Sequence, residues 1–401
     1  MLNRRPEHEI LLCVARRELD VERARLRQLL SGVRDWEYLI AAASYHGLAP
    51  LLHKHVHESC ADLVPVNALS RLKQSSLANT QNVLHLLSKQ LKVQRLLKEN
   101  GVPVAAFKGS VLSQMAYGEI SLRQAGDIDL LISRADFAQT RASLESLGYA
   151  LTPQLTATQL DSHLKHHCEI QFVRDDWFTV VDLHWGLAPK SFVFNLDTDA
   201  VMSRLQTVAV AGAEIQTLAT EDLILYLSMH GAKHLWRALE WISSLGELIR
   251  TAEAIDWNMV VERAVQAHAT RMLGLALRLV ERVSGPGVVS HALDAMDRSE
   301  SISRTAESME GMADDVLAQM FVASGFADST ETNLYNLKIM DRKRDALSSA
   351  LRAIFVPTFT DWDALTLPSS LHSVYYAYRP LRLSKIYTTL LWRKLSSRGA
   401  A

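Results

Sequence analysis

The sequence predicts an α+β fold in which a mixed sheet core with helices lies between two helical regions. From Pro6 to about Asn100 the apolar residues recur at helical spacing, with glycine and proline marking the breaks. The pattern over residues 102–149 then predicts a strand, a helix, a second strand and a second helix. Two strand-like runs follow, HCEIQFVR and WFTVVDLHW, whose separation by two aspartates predicts a hairpin, and helical spacing returns at Thr220.

These changes of pattern predict four regions. They are an N-terminal helical region over 1–100, an α/β core over 101–217, a C-terminal helical region over 218–345 and a basic tail over 346–401. A weak repeat relates DWEYLIAAASYHGLAPLL from Asp35 to DWNMVVERAVQAHATRML from Asp256. A duplicated unit and a chance match between two amphipathic helices are equally compatible with it.

Composition argues against several broad classes of function. The formal net charge of -1 and a pI of about 7.0 mean that no overall field attracts the chain to nucleic acid or to an anionic membrane. Cys13, Cys60 and Cys168 lack metal-type spacing and indicate a reducing compartment rather than a disulfide framework. Without a signal-peptide pattern or a long apolar run, we expect a cytoplasmic protein with no transmembrane segment.

Two aspartates one residue apart lie in the apolar segment DIDLLIS. In a strand, Asp127 and Asp129 point to one face, and the aliphatic residues between and after them point to the other. Like charges on one face are unfavourable unless a positive group lies between them, and hard divalent cations prefer oxygen ligands. The pair predicts a Mg²⁺ site, with Mn²⁺ as an alternative ion. Two solvated acids at a strand end are the competing interpretation.

A Lys-Gly-Ser step lies where the preceding strand gives way to a helix. Gly109 permits close approach of the backbone to a ligand, and the helix start at Ser110 offers N–H groups to a phosphate. Lys108 either neutralises triphosphate charge or simply ends the strand. A plain turn with a serine cap is the competing interpretation.

In this order the motifs resemble the nucleotidyltransferase superfamily, which has a polymerase-β-like core: a Gly-Ser helix start, an Asp-x-Asp strand and a third acid on a later strand. More closely, FKGSVLSQMAYG, LRQAGDIDLLIS, VVDLHW, LSMHGAKHLWRALEWI and the closing LPSSLHSVYYAYRPLRL resemble the bacterial uncharacterised nucleotidyltransferase family. The resemblance covers most of the chain and implies a nucleotidyltransferase-type mixed sheet. It is most specific between Phe107 and Trp185.

The resemblance also implies roles for single residues. Asp182 matches the family's third acid, with Glu169 on the neighbouring strand as the less favoured choice. Arg123 would clamp a phosphate unless it is a solvated loop arginine. His184 shares a face with Asp182 and would contact substrate, bind a carboxylate or pack structurally. The implied catalytic and metal-binding residues are Asp127, Asp129 and Asp182, and the implied nucleotide-binding residues are Lys108, Gly109, Ser110, Arg123 and His184.

Two features depart from the family pattern. The interval between Ser110 and Asp127 is longer than in the tightest superfamily pattern, although turns at Gly118 and Gly126 could absorb it. Ser244 stands where the family pattern leads us to expect an aspartate, so the role of that acid is open in this chain.

The implied activity is the metal-dependent transfer of a nucleoside monophosphate group from an NTP to an acceptor hydroxyl, with pyrophosphate leaving in line. The acceptor class is open among a small molecule, a peptide, a protein side chain and an RNA end, as are the base preference and the oligomeric state. One alternative is a catalytically weak nucleotide-binding or interaction module, suggested by Ser244 and by the large helical flanks. Another is a nucleotidyltransferase toxin that modifies tRNA.

The closing segment YYAYRPLRLSKIYTTLLWRKLSSR interleaves aromatic and cationic residues, and no acidic residue follows Asp363. This composition is compatible with binding nucleic acid, a phosphorylated acceptor or an anionic membrane. The helical spacing of the apolar residues favours instead a final helix packed on the body, with its cations in solvent. These residues are Tyr375, Tyr376, Leu381, Ile386 and Leu391.

Overall fold

A computed structural model describes residues 5–19, 22–174, 179–298, 308–321, 335 and 337–398, with side chains described up to residue 389. The turn predicted at Asp175 and Asp176 lies outside the described residues. The same is true of the side chains of Leu391, Arg393, Lys394 and Arg398. Within them, helices on both sides of a mixed sheet confirm the predicted α+β class. None of the described helices combines the length and the apolar composition that crossing a bilayer requires.

The described part of the first helical region contains five helices. Their bounds are α1 Pro6–Val14, α2 Arg23–Leu30, α3 Trp36–Tyr45, α4 Ala49–Ser59 and α5 Val66–Glu99. Helix α5 begins directly after Pro65 and buries a stripe that includes Leu72, Leu86 and Leu97. A one-sided apolar stripe of this kind is typical of a helix lying on the surface of a core.

The main sheet has five strands in the order β1-β2-β5-β4-β3. Their bounds are β1 Ala105–Ala106, β2 Ile128–Leu131, β3 Ala150–Thr152, β4 Glu169–Arg174 and β5 Thr179–His184. Strands β2 and β5 pair in parallel, the other neighbours pair antiparallel, and β4 with β5 forms the predicted hairpin. The connecting helices are α6 Gly109–Tyr117, α7 Phe137–Ser146 and α8 Ala157–His166.

Alternation along the strands gives the sheet one apolar face. Ile128 and Leu130 on β2 and Val181 on β5 belong to the apolar core on that face. Asp129 and Asp182 alternate with them along the strands and therefore lie on the opposite face. This agrees with the two-residue repeat of side-chain direction in a β-strand.

The second helical region begins after a small hairpin. The short helix α9 Thr198–Met202 and the hairpin strands β6 Gln206–Val210 and β7 Ala213–Thr217 precede it. Its helices are α10 Thr220–Lys233, α11 Leu239–Thr251, α12 Trp257–Gln266, α13 Thr270–Ser284, α14 Ser290–Asp297 and α15 Glu310–Met320. Leu235 and Trp236 have positive φ angles of 58° and 50° and separate α10 from α11. Both helical regions contribute to one apolar core that extends from Ile10 to Met340, and the division into four regions stays a prediction.

The C-terminal segment consists of α16 Lys343–Phe355, α17 Phe359–Ala364, a 3₁₀ turn Ser369–Val374 and α18 Tyr375–Arg398. The expected packing of its apolar residues is correct for Tyr375, which is 1% exposed, and wrong for Leu381 and Ile386, which are 71% and 40% exposed. Arg379 and Arg382 do not simply point to solvent, because both donate hydrogen bonds of 2.6 Å to the buried Asp361. A buried carboxylate needs such partners.

The internal repeat is visible in the backbone. The side chains of Asp35 and Asp256 accept hydrogen bonds of 2.9 and 3.0 Å from the third amide of α3 and of α12. Both helices have 10 residues, and each is followed at the same distance from its cap by a left-handed residue, Gly47 with φ 72° and His268 with φ 56°. The matched caps and ends favour one unit that occurs twice over a chance similarity.

This repeat leads to a paired prediction about the two caps. Asp35→Ala and Asp256→Ala should each lower the free energy of unfolding by about 1 kcal/mol, because each change leaves a helix N–H without its acceptor. Urea unfolding followed by circular dichroism measures the loss. Asp363→Ala, at an exposed acid, is the control and should leave the stability unchanged. Unequal losses at the two caps would argue against equivalent units.

Candidate active site

Three carboxylates meet at one edge of the parallel pair. Asp129 and Asp182 are direct partners in the register of β2 and β5, and Asp127 directly precedes β2. The Oδ1 atom of Asp182 is buried and has no hydrogen-bond partner. Burial and the charge of Asp129 raise the pKa of Asp127, and burial with the charges of both other aspartates raises the pKa of Asp182 to about 6. Negative charge is therefore concentrated at this point of the sheet.

Lys108 lies against the central carboxylate. Its Nζ is 2.5 Å from Oδ1 of Asp129, and the two side chains are only 14% and 2% exposed. Burial acts to raise the pKa of Asp129, but the charge of Lys108 and a hydrogen bond from His184 outweigh it and hold that pKa below its usual value. Burial likewise acts to lower the pKa of Lys108, and Asp129 raises it above its usual value. In the described state Lys108 is an ion-pair partner.

Helix α6 begins beside the acid pair. Gly109 is its first residue and has a φ of 55°, a backbone conformation that residues with a side chain rarely adopt. The position of a Cβ on Gly109 would lie 4.0 Å from the carbonyl oxygen of Asp127, so conformation rather than crowding requires the glycine. Ser110 is 5% exposed, makes no capping bond, and has a buried hydroxyl without a hydrogen-bond partner. The serine-cap interpretation is therefore wrong.

His184 contacts two acids from the end of β5. Its Nε2 lies 3.2 Å from Oδ1 of Asp129 in hydrogen-bond geometry, and its Nδ1 lies 3.2 Å from Oε2 of Glu169 without such geometry. Of the interpretations open from the sequence, the hydrogen bond to a carboxylate is the one observed. Donor atoms of Cys168, Glu169 and His184 lie within 4.8 Å of one another and form a softer ligand set than the three aspartates.

Arg123 is held by a residue that the sequence analysis missed. Its Nη2 lies 2.6 Å from Oε1 of Glu240 at the start of α11, and both side chains are largely buried, so Arg123 is not a solvated loop arginine. Burial raises the pKa of Glu240 despite this pairing. Gly47 makes room for the ion pair, because a Cβ there would collide with the Glu240 side chain. In the sequence, the feature that could have indicated this partner is the single acidic residue, Glu240, in the otherwise apolar segment LEWI.

Helices α10 and α11 close the site on the side of Lys108. Burial lowers the pKa of His230 and raises that of Tyr226, and the charge of Lys108 acts on both groups. The rings of Tyr226 and His230 stack at 5.8 Å, and Trp241 contacts His230 edge-on at 5.3 Å. The pair formed by His230 and His234 thus belongs to an aromatic wall beside the acids.

Two features of the family motifs have packing explanations. Gly231 lies under Trp236, and a Cβ at this position would collide with the indole ring. Ser244 is 1% exposed and lies 3.3 Å from the hydroxyl of Tyr117, the last residue of α6. Ser244 therefore joins α11 to the end of α6 that is remote from Gly109, and its departure from the family pattern falls outside the carboxylate cluster.

Substitutions of Asp127 and Asp129 should differ in their effect on stability. Asp129→Asn should lower the free energy of unfolding by about 3 kcal/mol, because it leaves Lys108 buried and unpaired. Asp127→Asn should leave stability unchanged or raise it, because burial and a neighbouring charge already oppose ionisation there. Urea unfolding without divalent ions at neutral pH compares them. Equal effects would show that the Lys108–Asp129 pair does not stabilise the fold.

Comparison with known proteins confirms the resemblance seen in the sequence. The family described as uncharacterised nucleotidyltransferase matches residues 33–285, more than half of the chain. An antigenic nucleotidyltransferase-like protein from Paracoccidioides brasiliensis is similar in structure, with 16% identity over 51% of this chain and 90% of that chain. Its TM-score of 0.33 is too low to support an argument, and no curated protein matches. The chain belongs to the uncharacterised nucleotidyltransferase family.

Proposed function

We propose that this protein transfers a nucleoside monophosphate group from an NTP to an acceptor hydroxyl and uses divalent metal ions to do so. Membership of the family supports nucleotidyl transfer in general. The observation that carries the specific proposal is the pairing of Asp129 with Asp182 on parallel strands, next to Asp127 and the start of α6.

The three aspartates suit a hard divalent cation. One oxygen of Asp182 is buried without a partner, and burial together with the neighbouring negative charge raises the pKa values of Asp127 and Asp182. We propose that Asp127, Asp129 and Asp182 hold Mg²⁺, with Mn²⁺ as an alternative, because such ions prefer oxygen ligands. When bound, the ion would neutralise triphosphate charge and polarise the α-phosphoryl group.

The start of α6 is the proposed site for the phosphates. Gly109 and Ser110 would offer backbone N–H groups, and the hydroxyl of Ser110 would find the partner it lacks in the described state. Lys108 would exchange Asp129 for a phosphate oxygen, with His184 remaining on the carboxylate. The Nε atom of Arg123 is buried and has no hydrogen-bond partner. The guanidinium can therefore donate a hydrogen bond to an anion while its Nη2 atom stays paired with Glu240.

The bond changes follow from this arrangement. The acceptor oxygen bonds to the α-phosphorus, and the bond between that phosphorus and the bridging oxygen breaks. Pyrophosphate leaves, and a base takes up the hydroxyl proton. Residues of the site orient the triphosphate for this in-line displacement, and positioning of this kind is the larger part of catalysis in phosphoryl transfer.

A nucleotide-binding module with weak catalysis is the second candidate. The observation that favours it is the Lys108–Asp129 ion pair, which occupies Oδ1 of the central carboxylate. In such a module the start of α6 would bind the triphosphate, and Asp129 would remain with Lys108.

Transfer of label distinguishes the two candidates. The protein is incubated with each NTP labelled at the α-phosphate, with Mg²⁺ or Mn²⁺, and with separate small-molecule, peptide, protein and RNA fractions of a cell extract. Labelling that disappears in Asp127→Asn and Asp182→Asn supports the enzyme and names the acceptor class. Asp161→Asn, at an exposed acid of α8, is the matched control and should transfer normally. NTP binding without transfer to any fraction would support the module instead.

Binding of Mn²⁺ should weaken as the pH falls through about 6. Because the pKa of Asp182 in the ion-free protein is raised to about 6, the carboxyl is protonated below this pH and must lose a proton to bind a cation. We expect about a tenfold loss of affinity per pH unit below that value. Electron paramagnetic resonance of free Mn²⁺ measures it. Asp161→Asn should retain the profile, whereas an unchanged profile in Asp182→Asn would remove Asp182 from the ligand set.

A further inference from the structure

Helix α16 is packed with its apolar side outward. Ser349 is the one residue of this helix that is buried, and its hydroxyl donates to the carbonyl oxygen of Ser191. Arg352 donates from Nη1 to the carbonyl oxygen of Lys190 at 2.5 Å. Ala346 packs against the apolar core. The side of the helix that faces the body therefore carries small side chains and its large apolar side chains face outward, the reverse of an ordinary surface helix.

The outward side of α16 is a stripe of large apolar side chains. Leu347, Leu351, Ile354 and Phe355 are 62%, 47%, 41% and 45% exposed. Their spacing of four, three and one residues places them on one face of the helix. An exposed stripe of this size marks a surface that another body covers.

Helix α18 lies beside α16. Arg379 donates from Nε to the carbonyl oxygen of Ala353 at 2.9 Å, which brings the first turns of α18 beside the end of α16. Leu381 and Ile386 on α18 are exposed. Because Leu381 and Ile386 are five residues apart, about 140° around the helix, they do not share a face. We therefore define the C-terminal apolar surface by the α16 residues alone, Leu347, Leu351, Ile354 and Phe355.

Positive charge surrounds these residues. Lys343 and Arg344 lie in the first turn of α16, on the side that carries the apolar stripe, and Lys385 is exposed on α18. No acidic residue follows Asp363 in the sequence, which continues with Arg393, Lys394 and Arg398. The net charge of the whole chain is only -1, so this positive charge is a local feature.

We propose that the C-terminal apolar surface lies on an anionic phospholipid bilayer, with its aliphatic side chains in the acyl boundary and the neighbouring lysine and arginine side chains at the head groups. Apolar and cationic side chains on one helical surface are the combination that such an interface binds. A single-stranded nucleic acid requires exposed aromatic rings for stacking, whereas three of the four defining side chains are aliphatic. A second copy of the chain would bring like charges together across the contact.

Vesicle flotation tests this placement with the full-length protein. The protein is mixed with vesicles of phosphatidylcholine alone or of phosphatidylcholine with phosphatidylglycerol. We expect flotation with the anionic vesicles, and less of it as salt is raised, since surface charges are screened. Leu351→Gln combined with Phe355→Gln should weaken binding by about tenfold or more, because both apolar contacts with the acyl boundary are lost. Glutamine is a good helix former, so the fold should persist.

The matched control is Leu77→Gln combined with Leu84→Gln, which removes two leucines of α5 that are 57% and 49% exposed. This control should bind like the unmodified protein. Equal loss in both double variants, or no flotation of the unmodified protein, would overturn the proposal. RNA binding without vesicle binding would assign the surface to nucleic acid. A dimer that dissociates in the α16 variant, again without vesicle binding, would assign it to a second copy.

Discussion

The parallel pairing of β2 with β5 is the constraint on which the arrangement of the carboxylates depends. Its register sets Asp129 beside Asp182, while Ile128 and Val181 enter the apolar core on the other face. A slip of one residue would reverse both faces, burying the acids in the core and exposing the aliphatic side chains. The core therefore holds the carboxylates in place although it contains none of them.

Neighbouring carboxylates in this cluster differ because their partners differ. Burial acts on Asp129 and on Asp182 in the same direction, yet Lys108 and His184 both contact Asp129 and hold its pKa low. Oδ1 of Asp182 has no such partner, and its pKa rises to about 6. Asp129 is thus the more acidic of the two, and Asp182 gains or loses its proton near pH 6. The net charge of the carboxylate cluster therefore depends on pH through the protonation of Asp182.

The sequence was informative where structure follows from local periodicity. The alternation in DIDLLIS and VVDLHW predicted the strands and the shared face of the aspartates, and the glycine-serine step predicted the start of α6. It did not predict that Arg123 pairs with Glu240 beside Gly47, because these residues are far apart in the chain and only tertiary packing brings them together. The sequence analysis also did not identify the apolar stripe of α16, because residue spacing alone does not show on which side of a helix the body lies.

The loop that leads to Asp127 is bound by side chains from both helical regions. Asn79 on α5 donates to the carbonyl oxygens of Ser121 and Arg123, and Asn82 donates to that of Ala125. Glu240 holds the same loop from the second helical region through the guanidinium of Arg123. Side chains from both helical regions thus satisfy the polar groups of a loop that has few bonds of its own, as buried polar groups require. Because the loop is bound from two directions, the position of Asp127 depends on the packing of the two regions against each other as well as on the sheet.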